Sequence, residues 1–288
     1  MARPAYTVSL PRRRTTSVVF SSPHSGRQYP PEFLAASALD ELSIRSSEDA
    51  FVDRLFSAVP GFGAPLIAAH APRAFIDLNR AAEELDPALV EGVPRTAHNP
   101  RISSGLGVIP RVVSNGRPIY RGKIARAEAE ARIAAHWRPY HTRLRMLVED
   151  SLTLFGEAIL VDCHSMPHEA IEQAGTPGTP RPDVVLGDRF GAAAAPEIVE
   201  RIEAAFAGAG LRVARNTPFA GAYIAQAYGR PSRGAHVVQV EIDRALYLDE
   251  RRVEPSAGFE AFRALMTSVA AEIAAIGAGE TERPLAAE

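Results

Sequence analysis

The sequence predicts a single-domain α/β protein in which a mixed, largely parallel β-sheet is flanked by helices. Short runs rich in β-branched residues alternate along the chain with longer amphipathic segments, which is the order that βαβ units produce. The run A-I-L-V at residues 158–161 is wholly apolar, as expected of a strand covered on both faces. The chain of 288 residues is long enough to bury a full core, and no internal repeat divides it.

The N-terminal elements are predicted from residue type and spacing. Residues 17–20 are a short β-rich run, followed by the turn-forming string S-S-P-H-S-G. Helical spacing covers residues 31–43 and 47–58. The strings P-L-I-A-A and R-A-F-I-D-L-N-R are two further predicted strands. Together these runs supply the first strands of the sheet and the helices that connect them.

The predicted helix at residues 47–58 begins with polar residues that suit a helix N-terminus. Ser46 or Ser47 is a suitable N-cap. Glu48 and Asp49 would then lie in the first turn, where the helix dipole favours acids. Both acids are therefore expected at the end of the sheet from which this helix starts.

The rest of the chain continues the alternation after a long irregular stretch. Residues 81–120 hold many turn formers and no long periodic stretch, so they are predicted to form an extended excursion. A loop of that length in a compact domain is usually functional or else disordered. The Gly- and Pro-rich residues 171–182 are predicted to form a mobile loop. The remaining predictions are a helix at 122–155 bent at Pro139, strands in E-A-I-L-V-D, V-V-L-G-D, L-R-V-A-R and H-V-V-Q-V-E-I, and helices near 192–208 and 256–276.

Composition excludes several functional classes. The chain is 46% hydrophobic and 23% charged with a net charge of −2, so bulk charge favours neither nucleic-acid nor membrane binding. The N-terminal residues are basic but lack the apolar core of a signal peptide, and no window reaches the roughly 18 apolar residues of a membrane span. With Cys163 as the one cysteine, no internal disulfide forms. We therefore expect a soluble, cytoplasmic protein.

Polar residues follow several of the predicted strands. His24 comes after the first strand, His164 ends the A-I-L-V strand and Glu241 lies in the last one. Two histidines and an acid with one open position are the ligand set of a catalytic zinc, and a further carboxylate nearby can accept a proton from water. Cys163 adjoins His164, but neighbouring strand residues point to opposite faces, so Cys163 is predicted to be a core residue rather than a nucleophile.

Several strings occur in an order that resembles a known family. They are S-P-H-S-G, E-D-A-F-V-D-R-L-F, F-I-D-L-N-R, W-R-P-Y-H-T-R-L, V-D-C-H-S-M-P, V-V-L-G-D-R-F-G, N-T-P-F-A-G-A-Y-I and V-V-Q-V-E-I-D-R-A-L-Y-L-D, spread over about residues 17–249. Together they resemble the N-formylglutamate amidohydrolase family. The resemblance implies a zinc-peptidase-like fold, with residues 1–288 as one amidohydrolase domain. It also implies hydrolysis of the N-formyl amide of N-formyl-L-glutamate, or of a similar N-acyl amino acid, to formate and the amino acid.

The resemblance also implies roles for individual residues. His24 and His164 match the metal ligands, together with Asp49, for which the neighbouring Glu48 is the alternative. Glu241 matches the general base. The implied cofactor is one divalent metal ion, with zinc expected, and the implied partner is a small-molecule substrate.

Substrate contacts follow from the same matches. Asn79 and Arg80 of D-L-N-R match the pair that holds a substrate carboxylate, and the planar guanidinium of arginine suits that task. Asn216 is a candidate polar contact, and Tyr223 is a candidate for shaping the pocket. Weaker candidates for a second carboxylate are Arg73, Arg143 and Arg230.

Two alternative functions stay open at this point. The first is a zinc hydrolase of the same fold that acts on another N-acyl amino acid or on a carboxy-terminal peptide bond. The second is a non-catalytic relative that binds a metal or ligand. The sequence leaves the acyl group, the amino acid, the metal and the oligomeric state undetermined.

Overall fold

The computed structural model describes residues 4–94, 99–174 and 181–278. Its sheet is built from β1 (Tyr6–Ser9), β2 (Val18–Ser22), β3 (Leu66–Ala69), β4 (Ala158–Met166), β5 (Val184–Gly187), β6 (Val213–Arg215) and β7 (Ala235–Asp243). These seven strands are arranged in the order β1-β3-β2-β4-β7-β5-β6. Strands β3, β2, β4 and β7 are mutually parallel, while β1 and β5 run antiparallel to β3 and β7. The predicted α/β domain with a mixed, largely parallel sheet is confirmed.

Helices cover both faces of this sheet. They are α1 (Pro31–Ala36), α2 (Glu41–Ile44), α3 (Val52–Leu55), α4 (Pro100–Ser103), α5 (Arg126–Arg132), α6 (Arg138–Phe155), α7 (His168–Ala174), α8 (Pro196–Gly208), α9 (Tyr223–Tyr228) and α10 (Phe259–Ile276). A small ribbon of β8 (Leu248–Asp249) and β9 (Glu254–Pro255) precedes α10. Within the described part of the chain, no helix combines the length and apolar character needed to cross a bilayer.

One face of the sheet is apolar over the middle of its central strands. Val161 and Cys163 of β4 and Val240 of β7 are buried in one cluster with residues of α3, α8 and α10. These residues share a face because alternate residues of a strand point to opposite sides. Their side chains need no hydrogen-bond partners there. The prediction that Cys163 is a core residue is confirmed, and burial raises the pKa of its thiol well above the ordinary value.

The opposite face changes character halfway along the central strands. Leu160 of β4 and Val237 of β7 lie in a second apolar cluster with Leu144 of α6. Beyond them, towards the carboxyl ends of the strands, this face carries Asp162, His164, Gln239 and Glu241. The polar half of this face therefore needs partners from the connecting segments.

The long helix between β3 and β4 is continuous but not uniform. Residues 133–137 form a π-helical turn between α5 and α6, in which the N–H of Arg138 donates to the carbonyl of Ile133. Pro139 follows directly and has no N–H to offer to the preceding turn, so the helix changes its hydrogen-bond pattern there. The helix predicted over 122–155 begins at Arg126.

The predicted helix over residues 47–58 is wrong. Residues 45–47 form a 3₁₀ turn, and α3 covers only the four residues Val52–Leu55. Between them, the N–H of Asp49 donates to the carbonyl of His24 over 3.0 Å, and Phe51 adopts a left-handed conformation with φ of 64°. A contact with a distant segment thus replaces the helical hydrogen bond, and both acids precede the helix.

The predicted strand in R-A-F-I-D-L-N-R is also wrong. The N–H groups of Phe75 and Ile76 donate to the carbonyl of Pro72, which makes a turn, and the N–H of Asp77 donates to the carbonyl of Val108. The backbone is therefore satisfied locally and by the following excursion, not by the sheet. Asn79 and Arg80 lie at the end of a series of turns rather than at a strand end.

Two other segments differ from simple expectation. The helical spacing at 31–43 becomes two short helices, because Ser37 forms an isolated bridge with Tyr120 between them. The loop predicted at 171–182 lies partly outside the described residues, and its first four residues continue α7. Residues 81–94 and 99–120 contain only α4 as regular structure and contribute Leu89, Ile109 and Ile119 to the second apolar cluster.

Packing of α6 allows a stability test within one helix. Leu144 is fully buried in the second apolar cluster, whereas Leu154 is 61% exposed. We expect Leu144→Ala to lower the free energy of unfolding by about 2–5 kcal/mol, because it leaves a cavity. Leu154→Ala removes the same atoms from the surface and should change it by less than about 0.5 kcal/mol. Urea denaturation measures both, and equal losses would contradict this assignment of the buried face.

Candidate active site

The polar side chains of the central strands meet at one edge of the sheet. In the parallel pairing of β4 with β7, His164 lies opposite Glu241 and Asp162 lies opposite Gln239. His24 lies in the loop that follows β2, the neighbour of β4 on its other side. Carboxyl ends of parallel strands share one edge, which is where open α/β sheets bind ligands.

His24, Asp49 and His164 form a buried cluster at this edge. The Oδ2 atom of Asp49 lies 2.9 Å from Nδ1 of His164 and 3.3 Å from Nδ1 of His24. One ligand-type atom from each of the three residues lies within 4.8 Å of the others, and the two imidazole centroids are 4.7 Å apart. The structure therefore brings together the three residues that the sequence nominated as metal ligands.

Glu48, the alternative to Asp49, points elsewhere. Its carboxylate accepts hydrogen bonds from Nε and Nη2 of Arg45 over 2.9 and 3.1 Å and from the hydroxyl of Tyr29 over 2.8 Å. The chain is not helical here, and the two adjacent side chains lie on opposite sides of it. Of these two acids, only Asp49 contacts the histidines.

Two further carboxylates bind the outer nitrogens of the histidines. Nε2 of His24 lies 2.7 Å from Oδ1 of Asp77, and Nε2 of His164 lies 2.9 Å from Oδ2 of Asp162. Such partners fix the orientation of a ligating imidazole and increase its basicity. Asp77 and Asp162 are not among the site residues predicted from the sequence. The available signal was their spacing, because Asp162 stands two residues before His164 on the same face of a strand and Asp77 opens D-L-N-R.

The electrostatics of the cluster favour positive charge at its centre. Burial lowers the pKa of His164, but the charge and hydrogen bond of Asp162 and the hydrogen bond to Asp49 outweigh it and raise that pKa well above the ordinary value. Burial alone would raise the pKa of Asp49, but the hydrogen bond from His164 holds it well below the usual range. A proton or a metal cation is therefore stabilised between these carboxylates.

The donor set fits a divalent metal such as zinc. Nδ1 of His24 is buried without a hydrogen-bond partner among the described residues, so its lone pair is free to coordinate. Bonds of about 2.0–2.2 Å in a tetrahedral site place ligand atoms roughly 3.3 Å apart. The nitrogen–oxygen distances of 2.9 and 3.3 Å at Asp49 need little adjustment to reach that spacing.

Glu241 lies beside this cluster with one oxygen committed to a hydrogen bond. Nε2 of Gln239 donates to Oε1 of Glu241 over 2.8 Å. Burial raises the pKa of Glu241 to about 7; the charge of His164 opposes this rise and that of Asp49 adds to it. A carboxyl group with a pKa near neutrality can both accept and return a proton at physiological pH.

A cavity of about 320 Å³ opens in front of these residues. Its wall includes His24, His164, Asn79, Gln239, Glu241, Arg73, Arg80, Arg101 and Arg244, together with residues 218–222. A cavity of this size is at the lower end for small-molecule sites and is too small for a folded partner. It is mainly polar on the side of the histidines and lined by four arginines.

Arg80 and Asn79 both line the cavity, but they are held differently. The Arg80 guanidinium is buried, donates from Nε to the carbonyl of Leu106 over 2.9 Å and from Nη1 to its neighbour's carbonyl over 2.8 Å, and forms no ion pair with a described residue. Burial lowers its pKa. The Asn79 amide donates to Oδ2 of Asp162 over 3.2 Å and accepts from the N–H of Ile224 over 2.7 Å. Asn79 thus joins β4 to α9, while Arg80 keeps its charge for the cavity.

Two nominated residues do not line the cavity. The amide of Asn216 accepts from the N–H groups of Asp188 and Phe190 over 3.1 and 3.3 Å and donates to the Asp188 carboxylate over 2.6 Å, so it holds a neighbouring loop. The ring of Tyr223 packs against those of Trp137 and His141. Their neighbours in the chain, residues 218–222, form the wall instead.

Comparison with known proteins identifies the family to which the chain is similar. A model of the N-formylglutamate amidohydrolase family matches residues 16–248. The N-formylglutamate deformylase of Pseudomonas aeruginosa is 31% identical over 251 residues, which cover 83% of this chain and 85% of the relative. That of Pseudomonas putida is 28% identical over 240 residues, covering 81% and 82%.

A solved structure extends the similarity to the whole fold. The N-formylglutamate amidohydrolase of Ralstonia eutropha JMP134 superposes with a TM-score of 0.88 at 36% identity, covering 96% of this chain and 99% of the other. The chain belongs to the N-formylglutamate amidohydrolase family.

Proposed function

We propose that this protein hydrolyses the formyl amide of N-formyl-L-glutamate, giving formate and L-glutamate, with a divalent metal ion, most simply zinc, held by His24, Asp49 and His164. The observation that carries the proposal is that His24 and His164, which form a cluster with Asp49, line one small cavity together with Glu241 and Arg80. The names of the relatives supply the substrate, and the geometry supplies residues suited to each part of the reaction.

The three ligand residues prepare the site for a cation. When bound, the ion would supply Lewis acidity, which polarises an acyl carbonyl and lowers the pKa of water. Asp77 and Asp162 hold the two imidazoles through Nε2, so that both Nδ1 atoms face the centre. Arg244 donates to the other oxygen of Asp49 over 2.9 Å, which leaves Oδ2 as the ligand atom.

Glu241 is the general base in this proposal. It accepts a proton from the water that attacks the formyl carbon and returns it to the amide nitrogen as the C–N bond breaks. Gln239 holds one carboxylate oxygen, and the other is left for the water. Burial supports the role, because a carboxyl with a raised pKa is a better proton acceptor.

Arg80 binds a carboxylate of the substrate. Its guanidinium donates to two backbone carbonyls, and Asp77 and Glu84 attract it without forming an ion pair, so a substrate carboxylate replaces solvent without breaking an ion pair. The modest cavity volume favours a small N-acyl amino acid over a peptide, which is the main alternative substrate. Formate release from N-formyl-L-glutamate, with N-acetyl-L-glutamate and a C-terminal peptide in parallel, tests the proposal.

Substitutions of the adjacent acids Asp49 and Glu48 test the metal site. We expect purified protein to hold about one zinc per chain and to lose activity with a chelator. Asp49→Asn should lose most of the metal, because an amide is a poor ligand, while Glu48→Gln should retain it as the matched control. Elemental analysis measures both. Full metal content in Asp49→Asn would move the site elsewhere.

The proton transfer is tested by an isosteric change at the proposed base. Glu241→Gln should keep the metal and lower kcat by about 10²- to 10⁴-fold, because an amide cannot accept the proton. Glu260→Gln, at an exposed position of α10, should leave kcat unchanged. If Glu241→Gln turned over at the wild-type rate with its metal bound, Glu241 would not be the base.

The carboxylate contact is tested by a change that keeps the charge. Arg80→Lys loses the planar guanidinium and should lower kcat/KM for N-formyl-L-glutamate by about 10- to 100-fold, with the metal content unchanged. The loss should be much smaller for a substrate whose carboxylates are blocked as amides. An unaltered kcat/KM for N-formyl-L-glutamate would assign Arg80 a structural role only.

A further inference from the structure

The four arginines of the cavity divide into two pairs by their partners. Arg244 donates to Oδ1 of Asp49 over 2.9 Å, and Arg73 donates to Oδ2 of Asp77 over 3.1 Å. Arg80 and Arg101 form no ion pair with any residue that the structure describes. The charges of the first pair are compensated by direct contact with carboxylates around the metal site, whereas the second pair has no described carboxylate in direct contact and can face a ligand.

Arg101 and Arg80 are held by the same stretch of the excursion. The side chain of Asn99 accepts from the N–H groups of Arg101 and Ile102 over 3.0 and 3.4 Å, which fixes the turn at the start of α4. The carbonyl of Arg101 accepts from the N–H of Leu106, and the carbonyl of Leu106 accepts from Nε of Arg80. The backbone of Arg101 is therefore linked to the guanidinium group of Arg80 through two hydrogen bonds at Leu106.

The two guanidinium groups occupy different depths. Arg80 is buried beside Asn79, which contacts the metal-site residue Asp162, while the Arg101 side chain is exposed at the mouth of the cavity. Glu84 attracts both cations but forms no ion pair with either one. Two like charges that face one cavity repel each other, and a ligand with two anionic groups relieves that repulsion.

We propose that Arg101 determines specificity by binding the side-chain carboxylate of the substrate, while Arg80 binds the α-carboxylate. This inference rests on the proposed function and deepens it. The α-carboxylate lies on the carbon attached to the scissile nitrogen and must enter deeply, next to Arg80. The side-chain carboxylate stands two methylene groups further out and reaches the mouth.

The structure also argues against other arginines in this role. Arg143 and Arg230, which the sequence nominated, do not line the cavity, and Arg230 instead donates to the carbonyl of Gln226. Arg73 does line it, but its charge faces Asp77, Asp49 and Glu241. A second substrate carboxylate near Arg73 would be repelled by these acids.

The test compares two substrates that differ only in the charge of the side chain. The kcat/KM values for N-formyl-L-glutamate and for the neutral isostere N-formyl-L-glutamine are measured with wild type, Arg101→Gln, Arg101→Lys and Arg233→Gln. Arg233 is exposed and outside the cavity, so its variant controls for the loss of one positive charge. Metal content is measured for each protein.

We expect wild type to prefer the glutamate compound and Arg101→Gln to lower its kcat/KM about tenfold, mainly through KM. The kcat/KM for the glutamine compound should be unaffected, and Arg101→Lys should restore part of the preference.

An unchanged substrate ratio in Arg101→Gln, or a wild type without preference, would overturn the inference. Absence of formate release from both compounds by metal-loaded wild type would instead overturn the proposed function. If Arg101→Gln fails to fold, Arg101→Lys provides the test. Its ratio of kcat/KM for the glutamate compound to that for the glutamine compound should lie below the wild-type ratio, and an equal ratio would overturn the inference.

Discussion

The parallel pairing of β4 with β7 is the constraint on which the rest of the site depends. Nine residues pair without interruption, so the alternation of one strand fixes the alternation of the other. On one face, this pairing produces a mainly apolar surface that packs against α10. On the other face, it sets His164 beside Glu241 and Asp162 beside Gln239. A shift of one residue would exchange the two faces and bury the polar residues in the apolar cluster.

The polar half of that face can exist only because other segments supply partners. Three carboxylates and two imidazoles are buried within a few ångströms, an arrangement that would be unfavourable without mutual hydrogen bonds. Asp77, Asp49 and Asn79 come from irregular segments, and Arg244 follows the last residue of β7. This requirement explains why residues 45–51 and 72–80 form turns instead of the helix and strand that their apolar spacing predicts. Their backbones are shaped by contacts with His24, Val108 and the strands.

The long excursion after D-L-N-R acquires a role from the same geometry. Its apolar residues pack against the second cluster, and its backbone carbonyl at Leu106 holds Arg80. The segment therefore contributes to the core and to the wall of the cavity at once. Among its described residues, the only regular element is α4, which is too short to be recognised by periodicity, so no signal in the sequence pointed to Arg101.

The sequence by itself determined the class of the fold, six of the seven strands of the sheet and a set of candidate residues for the chemistry. Alternation in H-V-V-Q-V-E-I and the polar end of A-I-L-V-D-C-H are local patterns, because alternate residues of a strand point to opposite faces whatever surrounds it. The tertiary structure alone decided which acid meets the histidines and which carboxylates orient them. It also decided which arginines face the cavity. In the same way it placed Asn216 against Asp188 and Tyr223 against His141, away from the cavity. These outcomes depend on hydrogen bonds and charge pairs between residues far apart in the chain, and no local spacing encodes such distances.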